Sequence, residues 1–134
     1  MPLEDRTEPK QTNTGLYCQL HNAGFSGSEL LLTQKIYRLC CELFNGRYRK
    51  TERAVLCHAV GTASSVANYT RELNLIVVGM LHATYDSGHF PDGKSGMTKA
   101  HRAWMRNHVG KELECMVADY SEFDFGQGRP ESLL

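Results

Sequence analysis

Leu73-Asn74-Leu75-Ile76-Val77-Val78-Gly79-Met80-Leu81-His82-Ala83-Thr84-Tyr85-Asp86 is the stretch whose reading decides the fold. It is apolar nearly all round as far as Tyr85. Leu75-Ile76-Val77-Val78 alone also suits a strand. The apolar pattern continues for about three turns and no parallel partner strand is evident, so the stretch reads as a central buried helix. On such a helix His82 stands in an apolar setting, and Asp86, four residues on, shares its face. Ser87-Gly88 then breaks the chain.

The flanking segments are helical in pattern too. Gly15 to Ala23 carries Leu16 and Leu20 at i, i+4 spacing, and Gly24 closes it as a C-cap. Ser26 or Ser28 can cap a helix from Glu29 to about Phe44, whose apolar stripe is Leu32, Ile36, Leu39, Cys40 and Leu43. Asn45-Gly46 ends it and leads into the basic loop Arg47-Tyr48-Arg49-Lys50. Thr51 can cap the next helix, to about Asn68. Its small residues Ala59, Gly61, Ala63, Ser64 and Ser65 permit close approach of a neighbouring helix, and a second apolar-set histidine, His58, lies on it. Ser87 to Met97 is a Gly/Pro loop. Thr98 can cap a helix through about His108, with Ala100, Trp104 and Met105 inward and His101 and His108 at the surface. Lys111 to Ser121 makes a last helix with Leu113, Met116, Val117 and Tyr120 inward. The expectation is an all-α fold: a single compact domain of five or six helices over 12–122, a mobile N-terminal tail over 1–11 and a loose C-terminal tail over 123–134.

Composition narrows the function classes. The chain has 134 residues, enough for one domain. Its 15 basic and 15 acidic side chains cancel, so no global charge points to nucleic acid or a membrane surface. The longest mostly apolar stretch, Leu73 to Ala83, is far short of a bilayer span. Met1-Pro2-Leu3-Glu4-Asp5-Arg6 lacks the apolar core of a signal peptide. The 5 cysteines are odd in number and show no CxxC spacing, which argues against a disulfide framework and for reduced thiols in a cytoplasmic protein.

His82 and Asp86 are sound ligands for zinc, iron or manganese, and His58 on the preceding helix is a candidate third. His89, Asp92 and Asp119 are further possible donors. Tyr85 can supply a proton or a hydrogen bond to such a site. The competing reading is that the histidines are satisfied core residues. Cys57 points about 100° away from its neighbour His58 on a helix, which does not support a Cys–His nucleophile pair.

The order of these elements resembles the N-terminal part of an HD-type metal-dependent phosphohydrolase domain, most nearly the hydrolase domain of the guanosine tetraphosphate synthetase/hydrolases. It also resembles a family of small HD-like bacterial proteins with a His-Ala-x-Tyr run. The residues that carry the resemblance are Gly46-Arg47-Tyr48-Arg49 before His58, then Met80-Leu81-His82-Ala83-Thr84-Tyr85-Asp86-Ser87, then Val109-Gly110-Lys111-Glu112-Leu113, roughly residues 29–121. It implies an HD-like helical fold and a divalent ion (Mn, Fe or Zn) held by His58, His82 and Asp86. It further implies hydrolysis of a small, phosphorylated or nucleotide-like molecule, with His58, His82, Tyr85 and Asp86 catalytic and Arg47, Arg49 and His89 contacting substrate. The chain departs from the pattern at Ala83, where the HD aspartate stands, at Ser87, where a second acid stands, and in lacking a matching distal aspartate. Two alternatives follow. One is a metal-free HD-like scaffold that binds a small molecule or a protein partner. The other is a metal-free acid/base enzyme built on the same side chains. The small-residue helix also offers a surface for a homodimer.

Overall fold

Thr12 starts the first helix: its hydroxyl accepts the Gly15 N–H at 3.1 Å, which satisfies one of the orphan donors of a helix N-terminus. The structure, a computed structural model, describes residues 9–44 and 50–126. Its elements are α1 (Asn13–Asn22), α2 (Gly27–Phe44), α3 (Lys50–Ala67), α4 (Leu73–Leu81), α5 (Thr84–Ser87), α6 (Lys99–Val109) and α7 (Lys111–Gly126). Among the described residues the fold is all-α: six longer helices and the 4-residue α5. They gather into two units, Met1–Leu81 and His82–Leu134.

Local chemistry explains most of the boundaries. α1 ends at Ala23, and Gly24 follows at φ 97, a conformation that glycine adopts without a Cβ penalty. The Arg71 guanidinium donates to the Ala23 carbonyl just beyond α1. Of the two serines expected to cap α2, Ser26 is the cap. Its Oγ accepts the Glu29 N–H at 3.2 Å, and Glu29 Oε1 accepts the Ser26 N–H at 2.8 Å, a reciprocal capping box. The expected end of α2 at Asn45-Gly46 lies outside the described residues. Thr98 caps α6 as expected, accepting the His101 N–H at 3.0 Å, and Gly110 at φ 93 ends it.

The first unit is an apolar core built by α1 to α4. Leu16 and Leu20 of α1, Ile36, Cys40 and Leu43 of α2, Ala59, Val60 and Ala63 of α3, and Ile76, Val77, Met80 and Leu81 of α4 are all but fully buried. Each larger aliphatic side chain removed from water contributes about 1.5–3 kcal/mol. α4 packs most extensively on α3. At their contact the small residue is Gly79 of α4 rather than one of those expected on α3: a Cβ there would sit 3.3 Å from Val66 Cγ2 and 3.4 Å from Thr62 Cγ2, tight enough that the neighbouring side chains would have to give way. One polar clasp crosses this unit. Ser64 Oγ donates to Gln19 Oε1 at 2.5 Å, Gln19 Nε2 donates to the Ser64 carbonyl at 3.1 Å, and the Lys10 N–H donates to Ser64 Oγ at 2.7 Å. Residues 9–11, expected in the mobile tail, are therefore placed along α3 through Lys10.

The central helix expected over Leu73 to Tyr85 is two helices. α4 stops at Leu81, His82 and Ala83 form a turn, and α5 begins at Thr84 after an Ala83 backbone at ψ 9 with no side-chain cap. The break falls where the first unit gives way to the second. Two tertiary contacts with α7 lie on the far side of it. The His82 ring sits edge-on to Tyr120 with centroids 5.7 Å apart, and the Tyr85 hydroxyl reaches Glu114. A periodicity argument carries neither contact, and His82 and Asp86 do not share one helix. The last helix also runs further than expected, through residues 122–126, and turns a different face inward. Leu113 and Val117 are buried as expected, but Glu114, Ala118 and Ser121 are buried with them, whereas Met116 is half-buried and Tyr120 is 46% exposed.

Candidate functional site

The second unit is organised on a buried carboxylate. Glu114 of α7 is 0% exposed. Its Oε2 accepts from Arg102 Nε at 2.7 Å and from the Tyr85 hydroxyl at 2.8 Å. Its Oε1 accepts from Arg106 Nε at 2.9 Å and from an Arg102 terminal nitrogen at 3.3 Å. Arg102 and Arg106 stand four residues apart on α6, so both guanidinium groups reach one point. Burial alone would raise the Glu114 carboxyl, but hydrogen bonds from Arg102, Tyr85 and Arg106 outweigh it and hold the group below the usual carboxylate range. The hydrogen bond to Glu114 raises Arg102 in turn. Tyr85 is pushed well above the ordinary phenol range, first by burial and then by its bond to Glu114. Its proton is thus committed to Glu114, which makes Tyr85 a poor general acid at neutral pH.

The Gly/Pro loop after α5 is pinned by aromatic stacking and by one histidine. Phe90 is buried, stacked on His101 with centroids 4.0 Å apart and planes 8° apart, and set edge-on to Trp104 at 5.4 Å. His101 is itself 3% exposed, contrary to the surface position expected for it. The Thr98 cap sets the register of α6 so that His101 and Met105, one turn apart, both face inward. His101 Nδ1 lies 2.8 Å from the Gly96 carbonyl, and Nε2 lies 2.8 Å from Asp92 Oδ2. The Asp92 carboxyl is held below its ordinary value by the Lys94 backbone N–H and then by His101. Both ring nitrogens of His101 face loop oxygens, so this His–Asp pair fastens the loop to α6. Gly96 is fastened twice, because its N–H also donates to the Tyr85 carbonyl at 2.8 Å.

Beside this frame lies an open cleft of about 280 Å³, lined by Tyr85, Asp86, Ser95, Gly96, Met97 and Ser121. Asp86 is exposed at its edge. Ser121 is buried and its hydroxyl donates to the Val117 carbonyl at 3.0 Å. Every lining residue belongs to the second unit.

The expected site residues are distributed as follows. His58 is on α3 in the first unit and is exposed rather than apolar-set, because the buried face of α3 runs through Ala59, Val60, Ala63 and Ser64. His82 and His89 are half-buried in the second unit. Asp86 and Tyr85 both border the cleft. Arg47 and Arg49 lie outside the described residues. The three expected metal ligands thus divide between the units, His58 in one and His82 with Asp86 in the other. Neither unit, among the described residues, holds a group of three or more His, Cys, Asp or Glu side chains placed to bind a metal ion. Two donors leave a divalent ion short of the three or four protein ligands it ordinarily takes.

Glu114, Arg102, Arg106, Ser95, Gly96, Met97 and Ser121 were not among the expected site residues. A usable signal existed for one group: Arg102 and Arg106 at i, i+4 spacing on an amphipathic helix call for a shared acid. Nothing local marks Glu114, rather than Glu112, as that acid.

Comparison of the chain with models of known protein families, with curated proteins and with solved structures finds no match in any of the three. Among the described residues no helix is long and apolar enough to cross a membrane.

Proposed function

We propose that the chain is a divergent, HD-like helical scaffold that works without a metal and binds a small molecule in the cleft of its second unit. The carrying observation is that cleft: apolar surface from Tyr85 and Met97 with a few polar groups from Asp86, Ser95 and Ser121, the usual composition of a small-ligand site. The order of the HD-like motifs supports the scaffold part of the reading. Ala83 in the place of the HD aspartate supports the metal-free part. Tyr85 serves as a wall of the cleft rather than as an acid, its hydroxyl being held by Glu114.

The test is a small-fragment screen by amide NMR on protein stripped with chelator. Fragments are expected to shift the Gly96, Met97 and Ser121 resonances, and Met97→Trp, which fills the cleft, is expected to abolish those shifts. Stoichiometric metal in protein purified without chelator, lost in His82→Ala together with a hydrolytic activity, would overturn the reading in favour of a metal-dependent hydrolase.

A further inference from the structure

We infer that the occupant of the cleft is a small ligand headed by a protonated amine, with an apolar tail. The inference rests on reading the cleft as a ligand site and concerns what that site selects. Among its lining residues the one charged side chain is Asp86, an exposed carboxylate that only accepts hydrogen bonds when ionised. Ser121 adds to the same polarity. Its hydroxyl proton points back to the Val117 carbonyl at 3.0 Å and the residue is buried, so it offers a ligand no donor. The Tyr85 hydroxyl, the obvious donor, is spent on Glu114 at 2.8 Å. The Gly96 backbone is spent at both ends, its N–H on the Tyr85 carbonyl and its carbonyl on His101. Ser95 is the one lining side chain with an uncommitted hydroxyl proton among the contacts described, and it is exposed.

The nearby positive charges do not reverse this balance. Arg102 and Arg106 are committed to Glu114, and α6 contributes no residue to the lining. Lys94 precedes Ser95 in the chain but is not among the lining residues, and its backbone N–H is spent on Asp92. An anionic head, a phosphate above all, would meet the Asp86 carboxylate, with the Ser95 hydroxyl the one side-chain donor in the lining to receive it. An ammonium brings three donors to the Asp86 carboxylate and the Ser95 hydroxyl oxygen at the cleft edge, while its alkyl chain lies along the Met97 side chain. The matching class is a primary alkylamine or aralkylamine.

The experiment compares n-hexylamine, n-hexanol and hexanoate, equal in tail and different in head, by amide and methyl NMR titration of the full chain at neutral pH. The expected result is that hexylamine shifts the Met97 methyl and the Ser121 amide. Hexanol is expected to bind more weakly and hexanoate not to shift these resonances. Asp86→Asn, a change at an exposed position, is expected to weaken hexylamine about tenfold, equivalent to about 1.4 kcal/mol. Asp119→Asn, an exposed carboxylate outside the lining, is expected to leave the titration unchanged. Hexanoate binding as well as hexylamine, or hexylamine binding equally to Asp86→Asn, overturns the amine assignment while leaving a small-ligand cleft in place. No shift at Met97 or Ser121 with any of the three probes overturns the cleft reading and the amine assignment together.

Discussion

The two units are held by different physics. The first is close-packed hydrocarbon: Leu16, Leu20, Ile36, Leu43, Ile76, Val77, Met80 and Leu81 interlock around a glycine contact between α3 and α4. The second has fewer aliphatic side chains inside and replaces them with a buried carboxylate, two arginines, a tyrosine and a stack of rings. Apolar packing is tolerant of pH and salt, and is sensitive to volume. A charged cluster has the opposite profile. It depends on every partner being present, because a buried charge left alone is costly. The cleft described above has a loop for a wall and polar groups at its edge, which is the second unit's kind of construction.

The most damaging change should be Glu114→Ala, which leaves Arg102 and Arg106 without their acceptor. Removing one partner of a buried pair costs 3–5 kcal/mol, and the partial exposure of both arginines places the loss near the lower end, about 3 kcal/mol. Hydrogen exchange would report it as lost protection in α6 and α7 with α1 to α3 little changed, and uniform loss across both units would break the contrast. The same carboxylate makes the second unit acid-sensitive. Its folded-state value is depressed, so its contribution is complete above the ordinary value of 4.5 and disappears as pH falls through the lower folded value. An acid titration followed by exchange should therefore open α6 and α7 first, and Glu114→Gln should remove that selectivity.

Gly79→Val probes the other kind of packing. Its methyl groups would press on Val66 and Thr62, both β-branched and stiff on a helix, at a cost of about 2 kcal/mol. Denaturant midpoints should fall by this amount at neutral and acid pH alike; a pH-dependent loss would contradict the hydrocarbon reading of the first unit. Tyr85→Phe removes one hydrogen bond to a charged acceptor that keeps its arginines, about 1.5 kcal/mol, and should leave α4 protection intact. Smallest is Ser64→Ala, about 1 kcal/mol, which unties Lys10 from α3 and leaves Gln19 its bond to the residue-64 carbonyl. Its signature is faster exchange at Lys10, with the core unaffected.

The first unit was largely legible in the sequence because it obeys one rule. Leu16 and Leu20, the Ile36-Leu39-Cys40-Leu43 stripe and Ala59 and Ala63 of α3 announce buried faces by spacing, and Ser26 and Gly24 announce ends. The second unit was less so, because its order comes from contacts distant in the chain. Nothing near His82 says that Tyr120 will meet its ring, nothing near Tyr85 names Glu114, and those partners lie beyond the break at Ala83. His101 reads as a surface residue until Phe90 is laid on it. Of the candidate site, Tyr85 and Asp86 were picked out from the sequence and both border the cleft. The remaining lining comes from a Gly/Pro loop and the far end of α7, whose convergence no local pattern encodes.

His101 also equips the molecule with a built-in signal. With acceptors 2.8 Å from each ring nitrogen and 3% of the residue exposed, an N–H on either nitrogen is shielded from exchange with solvent and should give a far-downfield proton resonance. Reagents that acylate imidazole nitrogens should mark the exposed His21 and pass over His101. Loss of that protection would time the departure of the loop from the ring without a label attached to the loop.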